Sequence, residues 1–224
     1  MPDPLQVVIR GLTLGGEVVA GITNAQRSAP TPCADMDVEH LLSHLLGGLH
    51  WFAGLAARGD LDPLGTPDPD LSGRPLLDAY VEGAELIWRA WSPQMLDHTF
   101  EAPWGETSGY EIASFMAVEV LGHLWDLAVA TGHFDFPQDD LAEEGLVIAS
   151  GLDEETLRSP GMLAPPVDLP PSAPAADRLA GFLGRDPRDP LAAGPAEPHS
   201  PAALGVLGSG GGDERPGGGA RTGG

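Results

Sequence analysis

A carboxylate and an imidazole stand one helical turn apart inside a very apolar stretch of the chain, FMAVEVLGHLWDLAVATG at residues 115–132. Glu119 and His123 are four residues apart, so on a helix they share one face. That face also carries apolar side chains, which indicates that it points towards the core. An unpaired ionised carboxylate would be costly there. The pair therefore either has an external partner or lies less deep than the sequence suggests.

A divalent cation is the external partner that these two residue types favour, because imidazole nitrogen and carboxylate oxygen are usual metal ligands. A third ligand is expected from another helix, where the element LLSHL offers His44. Its leucine neighbours predict that His44 points inwards, and Gly47 and Gly48 would leave space one turn later. His40 lies nearer the start of that helix and is predicted to be more exposed to solvent. His50 lies at a different angle around the helix from His44, so it does not easily join the same site.

The simplest hypothesis is one metal ion held by His44, Glu119 and His123, with one or more positions open. Two nitrogens and one oxygen with an open position are typical of a catalytic rather than a structural site. Zinc is the first choice, and iron(II) or nickel is compatible with the same ligands. Asp126, one turn after His123, is a candidate for orienting the imidazole. A hydrogen-bonded Glu–His pair without any metal stays open as the alternative.

Helical periodicity dominates residues 1–190 and predicts an all-α fold, with a four-helix bundle favoured over a non-bundle arrangement. We predict no pair of strands. The proline-rich stretch 159–171 is expected to be extended. The predicted long helices are 4–24, 37–58, 74–91 and a fourth that starts at the capping box of Ser108 and Glu111 and ends at Gly132; shorter C-terminal helices are predicted at 139–149 and 175–183.

Two details of these helices are also predicted. Gly15 and Gly16 lie in the middle of the first helix and weaken it by about 1 kcal/mol each relative to alanine, so a local irregularity is expected there. The inner face of the third helix is predicted to consist of Leu77, Tyr80, Val81, Ala84, Ile87 and Trp88.

The composition of the chain narrows the functional classes. With 224 residues, of which 42% are hydrophobic, it is long enough for one domain with a real core. Its net charge is −22, which disfavours binding to nucleic acid or to anionic membranes. The N-terminus lacks the pattern of a secretory signal, so a cytoplasmic location is expected. Residues 191–224, rich in glycine and proline, are predicted to form a disordered tail.

Four motifs occur in a characteristic order, and together they carry a resemblance. They are PTPCADMDVEHLLSHLLGG (30–48), PWGE (103–106), EVLGHLWDLAVATG (119–132) and DRLAGFLGRDP (177–187). The chain resembles the DinB-like metal-binding superfamily, and more narrowly the uncharacterised metal-binding branch related to the N-terminal domain of mycothiol-dependent maleylpyruvate isomerase. The resemblance covers residues 5–190. It implies a four-helix bundle with a divalent metal, commonly zinc, held at His44, Glu119 and His123.

The resemblance also implies a type of chemistry. Members with known activity use the metal to hold a low-molecular-weight thiol, such as mycothiol, as the thiolate that attacks an electrophile or isomerises a double bond. Three functions follow as hypotheses: a metal-dependent thiol S-transferase or isomerase, a non-catalytic module that binds metal or a small ligand, and a metal-free bundle serving in assembly. The expected partners are a small thiol and an electrophile, and a homodimer is compatible with them.

Three further residues are candidates for roles around the site. Trp104 in PWGE is a candidate cofactor-binding residue, because loops at bundle ends reach ligands. Arg185 in GRDP is a candidate for binding a carboxylate of the thiol cofactor; the alternative is helix termination and an ion pair with Asp186 or Asp189. Cys33 could be reactive, although packing of its turn is the favoured interpretation. The acidic run PDPD at 67–70 is interpreted as solvated surface.

Overall fold

A computed structural model shows that the chain folds as an all-α protein built around four long helices, as predicted. The helix α1 packs against α4 and α3, and α2 packs against α3 and α4. The long helices are α1 (Pro4–Gly21), α2 (Val38–Arg58), α3 (Leu76–Ala90) and α4 (Gly109–Thr131), and the shorter ones are α5 (Asp139–Gly151), α6 (Glu154–Leu157) and α7 (Ala175–Phe182). The structure describes residues 1–33, 36–59, 67–102, 105–158 and 163–191.

An antiparallel hairpin precedes α4, so the prediction that the chain has no strand pair was wrong. Strand β1 (Thr99–Ala102) pairs with β2 (Gly105–Ser108), and Phe100 lies opposite Thr107. Phe100 is fully buried and anchors the hairpin to the bundle. Strands of four residues are too short to show the alternation of apolar and polar side chains by which strands are recognised in a sequence.

Local capping residues fix the ends of the helices that carry the candidate ligands. The Asp37 carboxylate accepts a hydrogen bond from the His40 backbone N–H at the start of α2. At the start of α4, Ser108 and Glu111 form the predicted capping box. Gly132 ends α4 with a φ of 83°, a left-handed conformation that glycine adopts without strain. These caps set where α2 and α4 begin or end. They therefore help to set which side chains of the two helices lie at the same level of the bundle.

The helix α1 is continuous through Gly15 and Gly16, and the irregularity expected there is absent from it. A methyl group at position 15 would overlap Cδ1 of Leu124 and lie 2.6 Å from the hydroxyl oxygen of Tyr80. Gly15 therefore allows α1 to lie close against α4. The Tyr80 hydroxyl donates a 2.7 Å hydrogen bond to the Leu12 carbonyl in the same region. Tight packing compensates for the low helix propensity of glycine.

Half of the predicted inner face of α3 is correct. Tyr80, Ala84 and Ile87 are buried, whereas the predicted residues Leu77, Val81 and Trp88 are 38%, 41% and 45% exposed. The helix α3 packs mainly against α1 and α2. A helix with neighbours on one side buries only one of its faces. The sequence of α3 has apolar residues on two faces, so it does not show which of them packs against the core.

The helix α4 is the central element of the core. Among the helices in the described part of the chain, it alone is long and apolar enough to cross a membrane by length and composition. However, 83% of its most apolar segment is buried inside the protein. That burial is the behaviour of a core helix in a folded domain, which is how the polar residues of α4 come to lie among apolar neighbours.

The segment that follows α6 passes back over α7. Residues 163–170 have no regular secondary structure, and the Val167 N–H donates to the Gly181 carbonyl. The extended conformation predicted for 159–171 stays a prediction, and its first residues, 159–162, lie outside the described residues. The predicted tail, beyond its first residue, lies outside the described residues, as do Pro103 and Trp104.

Candidate metal site

The three residues predicted as metal ligands come together between α2 and α4. One ligand atom each from His44, Glu119 and His123 lies within 4.8 Å of the other two. The rings of His44 and His123 meet edge to face, with centroids 5.2 Å apart and planes at 83°. The Nε2 atom of His123 lies 3.2 Å from Oε2 of Glu119. Two helices that are distant in sequence thus place three potential donor atoms around one point.

The site is buried on one side and open on the other. His44 is 8% exposed and His123 is 4% exposed, whereas the Glu119 side chain is 36% exposed. The Glu119 side chain therefore reaches solvent while both imidazoles are held in the core. Glu119 is thus less deeply buried than its apolar neighbours on α4 suggested.

The electrostatics of the site favour a charged carboxylate. Burial alone would raise the pKa of Glu119, but the hydrogen bond from His123 and the positive charges of His123 and His44 lower it to about 2. Burial alone would lower the pKa of His123, but contacts with Asp126 and Cys33 raise it. A further contribution from Glu119 keeps the His123 pKa well above its ordinary value. In the absence of a cation, the two side chains therefore form an ion pair.

The other ring nitrogen of His123 faces a second carboxylate. Its Nδ1 atom lies 3.6 Å from Oδ2 of Asp126, which is fully buried. Arg185 donates to both Asp126 oxygens, from Nε at 3.2 Å and from Nη2 at 2.9 Å. Burial raises the pKa of Asp126, but the charge of Arg185, the hydrogen bonds with His123 and Arg185 and the charge of His123 together lower it. Asp126 thus lies next to His123, as predicted.

The pairing of Arg185 with Asp126 was not predicted from the sequence. An ion pair of Arg185 with Asp186 or Asp189 was predicted as the alternative, whereas Asp186 pairs with Arg188. Arg185 is only 7% exposed. Its role in binding a cofactor carboxylate stays a prediction, and so does that of Trp104, which lies outside the described residues.

His44 also has a carboxylate beside its other ring nitrogen. The Nδ1 atom of His44 lies 3.5 Å from Oδ2 of Asp68, whose side chain is 45% exposed. Sequence reasoning missed Asp68 because the run PDPD was interpreted as solvated surface. The one available signal was Gly47, since a methyl group at this position would overlap the Asp68 carboxylate. The space predicted beside His44 is therefore filled by a loop residue at Gly47, whereas a methyl group at Gly48 would meet nothing within 4 Å.

A second group of potential ligands lies beneath the site. Cys33, His123 and Asp126 also bring one donor atom each within 4.8 Å of the others, and all three are buried. The guanidinium of Arg185 already occupies both oxygens of Asp126, so a second cation would meet a positive charge there. Cys33 is 3% exposed, and buried thiols of this kind are generally inert. The packing interpretation of Cys33 therefore suits the structure best.

The histidines that were set aside are not part of the site. The His40 side chain is 77% exposed and contacts Asp37 through its Nδ1 atom. Its exposure agrees with the prediction that His40 is more exposed to solvent than His44. His50 is not among the groups of described residues close enough to hold one ion. The choice of His44 over its neighbours on α2 thus agrees with the geometry.

Comparison with known proteins identifies the family. Residues 13–128, which make up more than half of the chain, match the model of the mycothiol maleylpyruvate isomerase N-terminal domain. The chain belongs to this family. The family is a member of the DinB-like superfamily, so the predicted relationship is confirmed. The matched region contains all three candidate ligands and Asp126 but ends well before Arg185.

Curated relatives cover most of the chain but do not reveal a reaction. The uncharacterized proteins Rv0738 and MT0763, from two strains of Mycobacterium tuberculosis, are each 33% identical over 187 residues. The match covers 83% of this chain and 100% of each relative. No solved structure matches the chain.

Proposed function

We propose that this protein binds one divalent metal ion, with zinc as the first candidate, through His44, Glu119 and His123. We further propose that it acts as a metal-dependent thiol transferase or isomerase on a small electrophile, with a low-molecular-weight thiol such as mycothiol as cosubstrate. The observation that carries the proposal is the convergence of two imidazoles and one carboxylate within 4.8 Å, in a chain of the mycothiol maleylpyruvate isomerase N-terminal domain family.

The residues present fit a divalent cation on chemical grounds. Two imidazoles and one carboxylate are the ligand composition of many catalytic zinc sites, which keep a further position for water or substrate. The Glu119 pKa of about 2 keeps the carboxylate ionised at neutral pH, and a cation that binds here would replace the proton that His123 carries in the ion pair. Both imidazoles have a carboxylate on the Nδ1 side, so both present Nε2 towards the common point.

Each of these residues has a separate task in the proposal. His44 and His123 supply neutral nitrogen donors from the core, where water cannot easily displace them. Glu119 supplies charge and lies at the open side, from which a thiol would enter. A divalent cation bound here would supply a Lewis acid that keeps a coordinated thiol in its thiolate form. Apolar neighbours on α4 exclude bulk water and strengthen the electrostatic interactions within the site.

The first test is the metal content of the full-length chain purified without added metal. We expect about one zinc ion per chain by elemental analysis for wild type and for His40→Ala, whose exposed side chain is outside the site. His44→Ala is expected to lose the metal. A wild-type protein that contains no divalent metal and takes up none from solution would rule out the proposal and leave a metal-free bundle.

The second test separates an enzyme from a binding module. A generic electrophile is incubated with mycothiol and metal-loaded protein, and loss of the electrophile is measured. Conjugation that depends on mycothiol and disappears in His44→Ala supports the enzyme. Metal binding without any turnover supports the alternative, a non-catalytic module that holds metal or a small ligand.

We place the protein in the cytoplasm, where thiols are kept reduced and a thiol cosubstrate is available. The net charge of −22 argues against nucleic acid as a partner.

A further inference from the structure

A buried ion pair lies behind the candidate metal site. Arg185 and Asp126 are 7% and 0% exposed, and Arg185 donates to both oxygens of the carboxylate. Removing two charges from water is costly, and a purely apolar pair would often be as stable. A buried pair of this kind therefore suggests a specific role, and its position next to His123 indicates which one.

His123 has two ring nitrogens with different surroundings. Its Nε2 atom faces Glu119 at 3.2 Å, and His44 completes that group. Its Nδ1 atom faces Asp126 at 3.6 Å. A carboxylate at Nδ1 favours the tautomer that keeps the proton on Nδ1 and leaves the Nε2 lone pair for a cation. The orientation of Asp126 thus determines which nitrogen of His123 is available to the site.

The end of α7 determines the position of Arg185. Gly184 adopts a φ of 86°, and the backbone N–H of Arg185 donates to the Ala180 carbonyl at 2.9 Å. The Nη1 atom of Arg185 donates to the Leu183 carbonyl at 2.8 Å. The guanidinium is therefore held by its own helix terminus before it reaches Asp126. This arrangement makes Arg185 a rigid support rather than a mobile surface residue.

We propose that Arg185 is a positioning residue of the metal site, which holds Asp126 in place and through it sets the orientation of His123. The proposal rests on metal binding as proposed above. This role extends the metal site beyond residue 128, where the match to the family model ends. The added part is Arg185, which follows the end of α7. The residues that follow α7 are thus a functional part of the metal site.

The test measures zinc affinity of the full-length protein by competition with a chromophoric chelator, after bound metal has been removed. We expect Arg185→Met and Asp126→Asn each to weaken zinc binding about tenfold to a hundredfold, the usual effect of losing a partner of a metal-bound histidine. The double variant is expected to lose little more than either single one, because the two residues act through one contact. Arg188→Met, which removes an exposed arginine three positions later, is the matched control.

A merely structural role would lower stability without changing the site itself, so a spectroscopic readout is added. Cobalt(II) absorption bands report the ligand geometry and are expected to shift in Arg185→Met and to superimpose with wild type in Arg188→Met. Arg185→Lys keeps the charge but not the two-pronged contact, and it is expected to fold and to lose affinity several-fold. This variant keeps the test decisive if Arg185→Met does not fold.

The outcomes separate the two proposals. A wild-type protein that binds no zinc contradicts metal binding, and this inference is then overturned with it. Wild-type zinc binding together with unchanged affinity and unchanged cobalt spectra in folded Arg185→Lys and Asp126→Asn overturns the positioning role alone.

Discussion

His44 and His123 meet edge to face with their ring centroids 5.2 Å apart, although they lie on different helices. Their position relative to each other depends on how α2 packs against α4, because each helix supplies one imidazole. A ligand that joins both side chains would therefore link the two helices as well as fill the site. Binding of a cation should accordingly stabilise the folded protein.

Removal of the metal is the first prediction that follows. A ligand present at a hundred times its dissociation constant stabilises the native state by about 2.7 kcal/mol, so a strong chelator is expected to lower the unfolding midpoint of the metal-loaded protein. Glu119→Gln, which keeps the shape but removes the charge, is expected to unfold at the same temperature with and without chelator. The measurement is thermal unfolding followed by circular dichroism.

The control for this prediction is Glu82→Gln, because Glu82 lies on α3 and pairs with Arg74 at the surface. It should keep the sensitivity of wild type to the chelator. Equal unfolding midpoints of wild type with and without chelator would contradict the prediction.

A second prediction concerns Asp68, which lies 3.5 Å from Nδ1 of His44. Asp68→Asn removes the charge that favours the tautomer with a free Nε2, so zinc affinity is expected to fall by about tenfold. Asp70→Asn is the matched control from the same PDPD run, since its carboxylate accepts a hydrogen bond from Ser72 instead. Zinc titration with a competing indicator gives both affinities. An equal loss of zinc affinity in the two variants would show that Asp68 acts only through the general negative charge of the surface.

Much of the fold could be predicted from the sequence because long amphipathic helices carry repeated information. The fourth helix, for example, was located by the Ser108–Glu111 box at its start and Gly132 at its end. The hairpin at 99–108 was missed because four-residue strands carry almost no period. The exposed face of α3 was missed for a different reason, since burial there depends on which neighbours the helix finds.

The candidate ligands were predictable, whereas their supports were not. Glu119 and His123 are related by helical spacing alone, and the leucines around His44 distinguish it from His40. The supports come from distant segments, Asp68 from a loop and Arg185 from the end of α7. Only tertiary packing brings them next to the imidazoles, and neither residue has a local pattern that would reveal its partner.

A third prediction compares the two neighbouring glycines of α1. A methyl group at position 15 would overlap Leu124, which is fully buried, so Gly15→Ala is expected to lower the free energy of unfolding by about 1–3 kcal/mol. At position 16 the nearest atom is 3.8 Å away, so Gly16→Ala is expected to raise it by about 0.5–1 kcal/mol through helix propensity. Urea unfolding measures both changes. Changes of the same sign would show that close packing of α1 does not decide the effect.

A fourth prediction concerns stability at alkaline pH. Tyr80 is buried, and burial raises the pKa of its hydroxyl above the ordinary value of about 10. The native state therefore holds this proton more tightly than the unfolded chain, so the contribution of Tyr80 to stability is fully present below about pH 10 and declines as the pH rises further. Tyr80→Phe removes both the titrating group and the hydrogen bond to Leu12, so it is expected to be about 1 kcal/mol less stable at neutral pH.

The stability of Tyr80→Phe should also fall less steeply than that of wild type between about pH 9 and about pH 11, where the unfolded tyrosine titrates. Urea unfolding at several pH values gives both slopes. Tyr110→Phe is the control, because the Tyr110 hydroxyl makes only a 3.4 Å contact with the Pro2 carbonyl near the N-terminus. Tyr110→Phe is expected to follow the wild-type slope. If the free energies of unfolding of wild type and Tyr80→Phe decline in parallel with pH, the alkaline loss of stability comes from other groups and not from Tyr80.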